Sequence, residues 1–145
     1  MELKSTDELS HEIKAVSNIE DYLNKNKEHM IMTDLSEHLN MLLSLKKLKK
    51  SDVVRASLLD RTYVYKIFAG EKNPTRDKLI ALAFGLHFSD LETQKMLKIS
   101  GNRELYVRDA RDAIILFCLQ RNMPIYEAND LLSTNGLELL GNLDE

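Results

Sequence analysis

From Leu35 to Leu97 apolar residues recur at helical spacing, and most of the runs open on a residue suited to capping a helix. Leu35, Leu39, Leu42 and Leu43 make one helical face, with Asp34 and Glu37 in the first turn, where the helix dipole favours acids. After the run Lys46 to Lys50 comes a short helix carrying Val53, Val54 and Ser57. Asp60 caps the next, whose inward positions are Val64, Ile67 and Phe68; Gly70 supplies its stop, and Asn73-Pro74 marks a turn. Thr75 opens a helix with Leu79, Leu82, Ala83 and Leu86. Ser89 and Glu92 form a capping box ahead of a helix containing Leu91, Met96 and Leu97. With only 5 Gly and 2 Pro in 145 residues, the whole chain reads as all-α.

Ahead of this stretch the helices are short. Leu9, Ile13 and Val16 fall at i, i+4, i+7 behind Ser5 and Glu8, and a second helix carries Ile19, Tyr22 and Leu23 after Ser17 or Asn18. Beyond it the chain repeats itself. Arg76 to Gly101 aligns without gaps to Arg111 to Gly136, an offset of 35 residues, with six of 26 positions identical. The identities are Arg76/Arg111, Asp77/Asp112, Ile80/Ile115, Glu92/Glu127, Leu97/Leu132 and Gly101/Gly136. A helical hairpin used twice is one reading, and chance similarity between amphipathic helices is the other. Ile114 to Leu119 is apolar nearly all round, the pattern of a helix buried on most sides, and Pro124 suits the start of the helix after it.

Several classes of protein are disfavoured. The longest uncharged apolar run, Ala113 to Leu119, has seven residues against roughly 20 needed to span a bilayer. Glu2, Asp7, Glu8, Glu12 and Glu20 give the first residues the wrong charge for a secretory or transit signal, so a cytoplasmic protein is expected. One cysteine, Cys118, makes no disulfide framework, and its apolar surroundings suit a buried thiol. His11, His29, His38 and His87 are scattered, with no pair at the spacing of a helical zinc site, and Gly-rich phosphate loops are missing. We therefore expect no enzyme, no metal and no cofactor. Met30, Met32, Met41, Met96 and Met123 read as core filler. Leu137 to Leu140 either closes the core or offers a dimer surface.

Charge is unevenly placed. The chain carries −3 in all, yet Lys46 to Lys78 holds ten basic and four acidic residues, net +6, between acidic ends. Such a centre is either an electrostatic footprint for phosphates or a solvated helix surface.

The segment Leu35 to Leu91 resembles the Cro/repressor-type helix-turn-helix domain of the XRE family. The resemblance rests on Leu48-Lys49-Lys50-Ser51-Asp52-Val53-Val54, on Asp60 to Ile67, on Gly70-Glu71-Lys72-Asn73-Pro74-Thr75, and on Leu79, Leu82, Ala83 and Ser89 in that order. It implies a five-helix lambda-repressor-like domain in which Val53 to Ser57 belongs to the first helix of the motif and Leu58-Leu59 to its turn. Arg61 to Phe68 would be the recognition helix, presenting Arg61, Thr62, Tyr65 and Lys66 to the major groove of double-stranded DNA. Lys50 stands where the family places a phosphate-contacting Gln, and Lys72, Asn73 and Arg76 are within reach of the backbone. The family usually binds as a homodimer. The chain departs from the family at Val54 and Leu58, where a small Ala and a turn Gly are usual, and in the aromatics Tyr63, Tyr65 and Phe68.

The expectation is therefore an all-α protein in three parts. Residues 1–33 form an acidic helical segment, 34–100 the helix-turn-helix domain, and 101–145 a C-terminal helical hairpin packed on it. The function implied is a sequence-specific transcriptional regulator. The alternative is an adaptor that uses the same fold to bind a protein partner, which the acidic ends and aromatic helix suit.

Overall fold

A computed structural model describes residues 4–26, 29 and 34–141, and among these every regular element is an α-helix. The chain divides into two compact units, Met1–Met32 and Thr33–Glu145. Among the described residues, no helix is long and apolar enough to cross a membrane, and no group of three His, Cys, Asp or Glu side chains could hold a metal ion.

The first unit holds α1 (Thr6–Ala15), capped by Ser5, and α2 (Ile19–Lys25), capped by Asn18. A polar knot fastens them. Asn26, fully buried, accepts from Lys4 Nζ at 2.8 Å and donates to Glu12 at 2.8 Å and to the Tyr22 carbonyl at 3.1 Å. Lys4 and Asn26 both stabilise the charged Glu12 carboxylate and hold its pKa below 4.5. Tyr22 is the buried apolar side chain of this pair, while Ile13, Ile19 and Leu23 stay exposed. Met30 and Met32 lie outside the described residues.

The second unit holds α3 (Leu35–Leu45), α4 (Lys50–Ser57), α5 (Arg61–Phe68), α6 (Arg76–Gly85), α7 (Asp90–Ile99), α8 (Ala110–Gln120) and α9 (Ile125–Thr134). Asp34, Asp60, Thr75, Ser89 and Asp109 each accept a backbone N–H of the following first turn, which satisfies donors that a helix start leaves orphaned. Ser89 and Glu92 complete a reciprocal capping box. At the centre lies α6, whose Leu79 to Gly85 are all buried, with α4 as its principal neighbour. Gly85 permits that approach, because a Cβ there would sit 2.8 Å from the Val53 carbonyl oxygen. Around α6 one core joins Leu39, Val64, Met96, Ile115 and Leu132, so the last hairpin shares it with the rest of the unit.

Three of the corners are built alike. Lys47, His87 and Asn122 follow α3, α6 and α8 in the left-handed conformation, with φ of 56°, 54° and 53°. The next residue turns inward, and its N–H reaches back to the helix: Leu48 to Leu43 O, Phe88 to Ala83 O and Met123 to Cys118 O, at 3.1, 2.9 and 3.0 Å. Leu58, after α4, also adopts a left-handed conformation, φ 59°, a backbone that glycine takes more readily than leucine.

The 35-residue correspondence extends further in space than in sequence. Arg76 donates twice to Asp112, at 3.2 and 2.9 Å, and Arg111 donates twice to Asp77, at 2.8 and 3.1 Å. Each arginine also grips the segment that follows its own hairpin: Arg76 the carbonyls of Arg103 and Glu104, Arg111 those of Glu138 and Leu139. Gln94 exchanges two hydrogen bonds with the backbone of Leu105, and Asn129 does the same with Leu140. Packing is reciprocal as well, α6 on α9 and α7 on α8. The hairpins α6–α7 and α8–α9 are thus equivalent units paired face to face, their arginines exchanged.

Several sequence expectations are corrected. Leu91 is 77% exposed rather than part of the α7 core face, and Met41 is exposed. Of the two readings of Leu137 to Leu140, the core-closing one holds at its end, where Leu140 is fully buried.

Candidate nucleic-acid interface

Helices α4 and α5 pack against each other, and α5 shows one face to solvent. Val64, Ile67 and Phe68 turn α5 into the core, and the 3.6-residue period then throws Arg61, Thr62, Tyr65 and Lys66 outward, all four exposed. Asp60 fixes the helix start by accepting the Tyr63 N–H at 3.2 Å. Lys50 is the first residue of α4, held there because the Asp52 carboxylate accepts the Lys49 N–H at 3.1 Å.

Lys50, Arg61, Thr62, Tyr65 and Lys66 converge, with Ala69 and Glu71, on one open depression of about 420 Å³. Tyr65 stands in the middle of the charges. The Arg61 guanidinium lies 5.1 Å and the Lys50 ammonium 5.5 Å from its ring centroid, within the range of cation–π attraction. Arg61 Nη2 also donates to the Tyr65 hydroxyl at 3.2 Å. Three cations face one carboxylate here, so the depression favours an anion.

The other sequence-predicted residues lie elsewhere. Lys72 and Asn73 are exposed and line a separate cleft of about 480 Å³, beside Ser36, Gly70 and Asn102. Lys72 also lies 5.9 Å from the Tyr63 ring centroid. Burial raises the Tyr63 phenol above 10.0, keeping it neutral. Arg76 is the correction in the set. Only 17% of its side chain is exposed, and its donors are occupied by Asp112, Arg103 O and Glu104 O, so it is a structural clamp and not a free phosphate ligand. Lys46, the first of the lysine run, is tied to Glu92 at 3.0 Å and lies over Phe88.

Sequence reasoning missed two things. His38 is 3% exposed with neither ring nitrogen bonded to a protein group. The pairing of Arg61 with Tyr65 was legible only as an i, i+4 spacing. Comparison with protein-family models, curated proteins and solved structures finds no match to this chain.

Proposed function

We propose that this protein is a small DNA-binding transcriptional regulator of Cro/repressor type, reading the major groove of double-stranded DNA with α5. The observation that carries the reading is the convergence of Lys50, Arg61, Thr62, Tyr65 and Lys66 on one outward depression while Val64, Ile67 and Phe68 anchor the same helix. Arg61 offers paired donors suited to guanine, Thr62 a hydroxyl and a methyl, and Lys50 and Lys66 charges for phosphates. The five helices α3 to α7, with α4 and α5 joined by Leu58-Leu59-Asp60, follow the order expected of a lambda-repressor-like domain. Lys72 and Asn73, exposed on their separate cleft, are further candidates for the phosphate backbone. On this reading the regulator works in the cytoplasm and as a homodimer on two half-sites.

The test is fluorescence anisotropy of the purified chain on its own upstream DNA and on scrambled DNA, at several salt concentrations. Preferential binding that weakens with salt, by about 0.9 in log affinity per phosphate neutralised for each decade of salt, supports the regulator. Absence of binding to either DNA at about 50 mM salt, where phosphate contacts are least screened, sinks it.

The exposed ring of Tyr65 on α5, together with the acidic ends of the chain, favours a second reading, an adaptor binding a protein through the same face. Under it Tyr65→Ala breaks a protein complex, and the wild type has no DNA affinity to lose.

A further inference from the structure

The depression on α4 and α5 contains one contact that plain solvation of a basic helix does not require. Arg61 is an exposed side chain with every opportunity to extend into water, yet it folds back over a tyrosine one turn away. Two contacts hold it there: the ring beneath the guanidinium at 5.1 Å and the hydroxyl accepting from Nη2 at 3.2 Å. A third group steadies the ring itself. The Lys50 ammonium, from a different helix, lies 5.5 Å from the Tyr65 centroid and 6.0 Å from that of Phe68, whose side chain is 97% buried and fixed by the core.

A guanidinium has five N–H donors in a rigid fork. One hydrogen of Nη2 goes to Tyr65. Whichever of the two it is, a parallel pair remains, either Nε with Nη2 or Nη1 with Nη2. That pair matches the O6 and N7 acceptors that guanine presents in the major groove, and no other base edge there offers two acceptors side by side. A flexible arginine would lose rotamer freedom on making this contact; one already held loses less.

We infer that Tyr65 is a positioning residue, which holds Arg61 for two-point recognition of a single guanine, with Lys50 bracing the Tyr65 ring from α4. The inference rests on the DNA-binding reading above and sharpens it. The specificity of the face resides in the Arg61–Tyr65 pair, and Tyr65 acts through the arginine instead of touching a base.

The experiment uses the full chain. Wild type, Arg61→Ala, Tyr65→Phe and Tyr65→Leu are each incubated with a randomised duplex library, and the bound duplexes are sequenced. Tyr65 is partly exposed and outside the core, and circular dichroism of each variant checks that it folds. Wild type should select a site with one strongly preferred guanine. Replacing that guanine by 7-deazaguanine, which lacks the N7 acceptor, should weaken wild type by about 10-fold or more and leave Arg61→Ala unmoved. Tyr65→Phe keeps the ring and loses the hydroxyl, and should cut the preference for that guanine about 3-fold; Tyr65→Leu should cut it about 10-fold. Binding to duplexes lacking the guanine, and the salt slope, should stay as in wild type. A merely structural role for Tyr65 would lower affinity for all duplexes together. In the free protein, ¹⁵N relaxation of the Arg61 Nε–H should show more motion in Tyr65→Phe than in wild type.

If wild type selects no sequence, the DNA reading fails and the inference goes with it. If wild type selects a guanine and both Tyr65 variants keep the full preference, the regulator stands and the positioning role is overturned. A guanine preference that survives Arg61→Ala overturns the assignment of Arg61 as reader.

Discussion

The hairpins α6–α7 and α8–α9 share a frame and differ in what lies against them. Both open with Arg-Asp, turn on a left-handed residue, end at a left-handed glycine and are strapped down through an amide side chain, Gln94 or Asn129. In the first hairpin, however, the α6 face containing Leu82 and Gly85 is covered by α4 and fully buried. The equivalent positions of α8 are Phe117, 43% exposed, and Gln120, which donates to Asp90. Arg121 lies over the Phe117 ring at 3.7 Å. One copy therefore has a glycine and seats α4, while the other has a large polar residue at the matched position and is open to solvent there. Equal frames have been given unequal duties, and the difference is written in a few residues at matched positions.

The ion pairs that join the copies should expose the inequality most strongly. Asp112 is 2% exposed and satisfies Arg76 twice and the Tyr106 N–H once, whereas Asp77 is 46% exposed. Arg76 and Arg111 are equally buried, each 17% exposed, so the aspartates make the difference: losing Asp112 also leaves the Tyr106 N–H without its acceptor and strips a carboxylate from a dry site, where water replaces it poorly. Asp112→Ala should therefore cost about 3–5 kcal/mol in urea unfolding. The chemically identical change Asp77→Ala, at the wetter end of the same arrangement, should cost about 1 kcal/mol. Equal losses would show that the two clamps carry equal weight despite their different burial.

Next in size is the glycine that separates the hairpins. A methyl at Gly85 would meet the Val53 carbonyl oxygen at 2.8 Å and the Ser57 Cβ at 2.9 Å, and backbone cannot swing aside as a side-chain tip can. Gly85→Ala should cost about 1–3 kcal/mol through displacement of α4, in spite of the gain in helix propensity. Gln120→Ala, at the matched position in α8, should change stability by less than about 0.5 kcal/mol. On the DNA-binding reading the first change should weaken DNA binding as well, because α4 carries Lys50. A Gly85→Ala variant as stable as wild type would remove close α4–α6 contact as the reason for glycine there.

The fold was legible where local rules and tertiary packing agree. Asp34, Asp60, Thr75 and Ser89 are caps by chemistry, and the apolar spacing behind each marks the buried face. Legibility stopped where contacts run between distant residues. Nothing local announces that Arg76 pairs with Asp112 rather than with a phosphate; that follows from the fold bringing residue 76 beside residue 112. The repeated Arg-Asp pair at an offset of 35 was visible, but its crossing over was not. The left-handed corners at Lys47, His87 and Asn122 escaped notice because none is a glycine. Of the expected interface, Lys50, Arg61, Thr62, Tyr65 and Lys66 were placed by periodicity and resemblance, and the Arg61–Tyr65 contact needed coordinates.

The glycines that end the hairpins offer a finer test. Gly101 and Gly136 have φ of 76° and 69°, and at each there is open space where a Cβ would stand. No clash confuses the measurement, so Gly→Ala at either position reports only the cost of left-handed backbone for an L-residue, about 1 kcal/mol. The two urea midpoints should shift together. A difference beyond about 0.5 kcal/mol would mean that the equivalence of the copies fails at their ends.

Acid separates the unit by a different route. His38 of α3 is buried and feels the charges of Lys95 and Glu92 on α7. Burial disfavours the imidazolium, the Lys95 charge disfavours it further, and Glu92 offsets them only in part, so the His38 pKa lies below the ordinary 6.5. The unfolded chain then takes up this proton at higher pH than the folded one. Stability from this residue is fully present above about 6.5 and declines as pH falls below it toward the lower folded value. The lowered carboxyl of Asp34 contributes in the same direction only at more acid pH, below its ordinary 3.8. Urea midpoints between pH 7.5 and 5 should thus fall more steeply for wild type than for His38→Leu. Parallel slopes would show that His38 keeps its ordinary titration in the fold, and that α3 sits on α7 without excluding a charge.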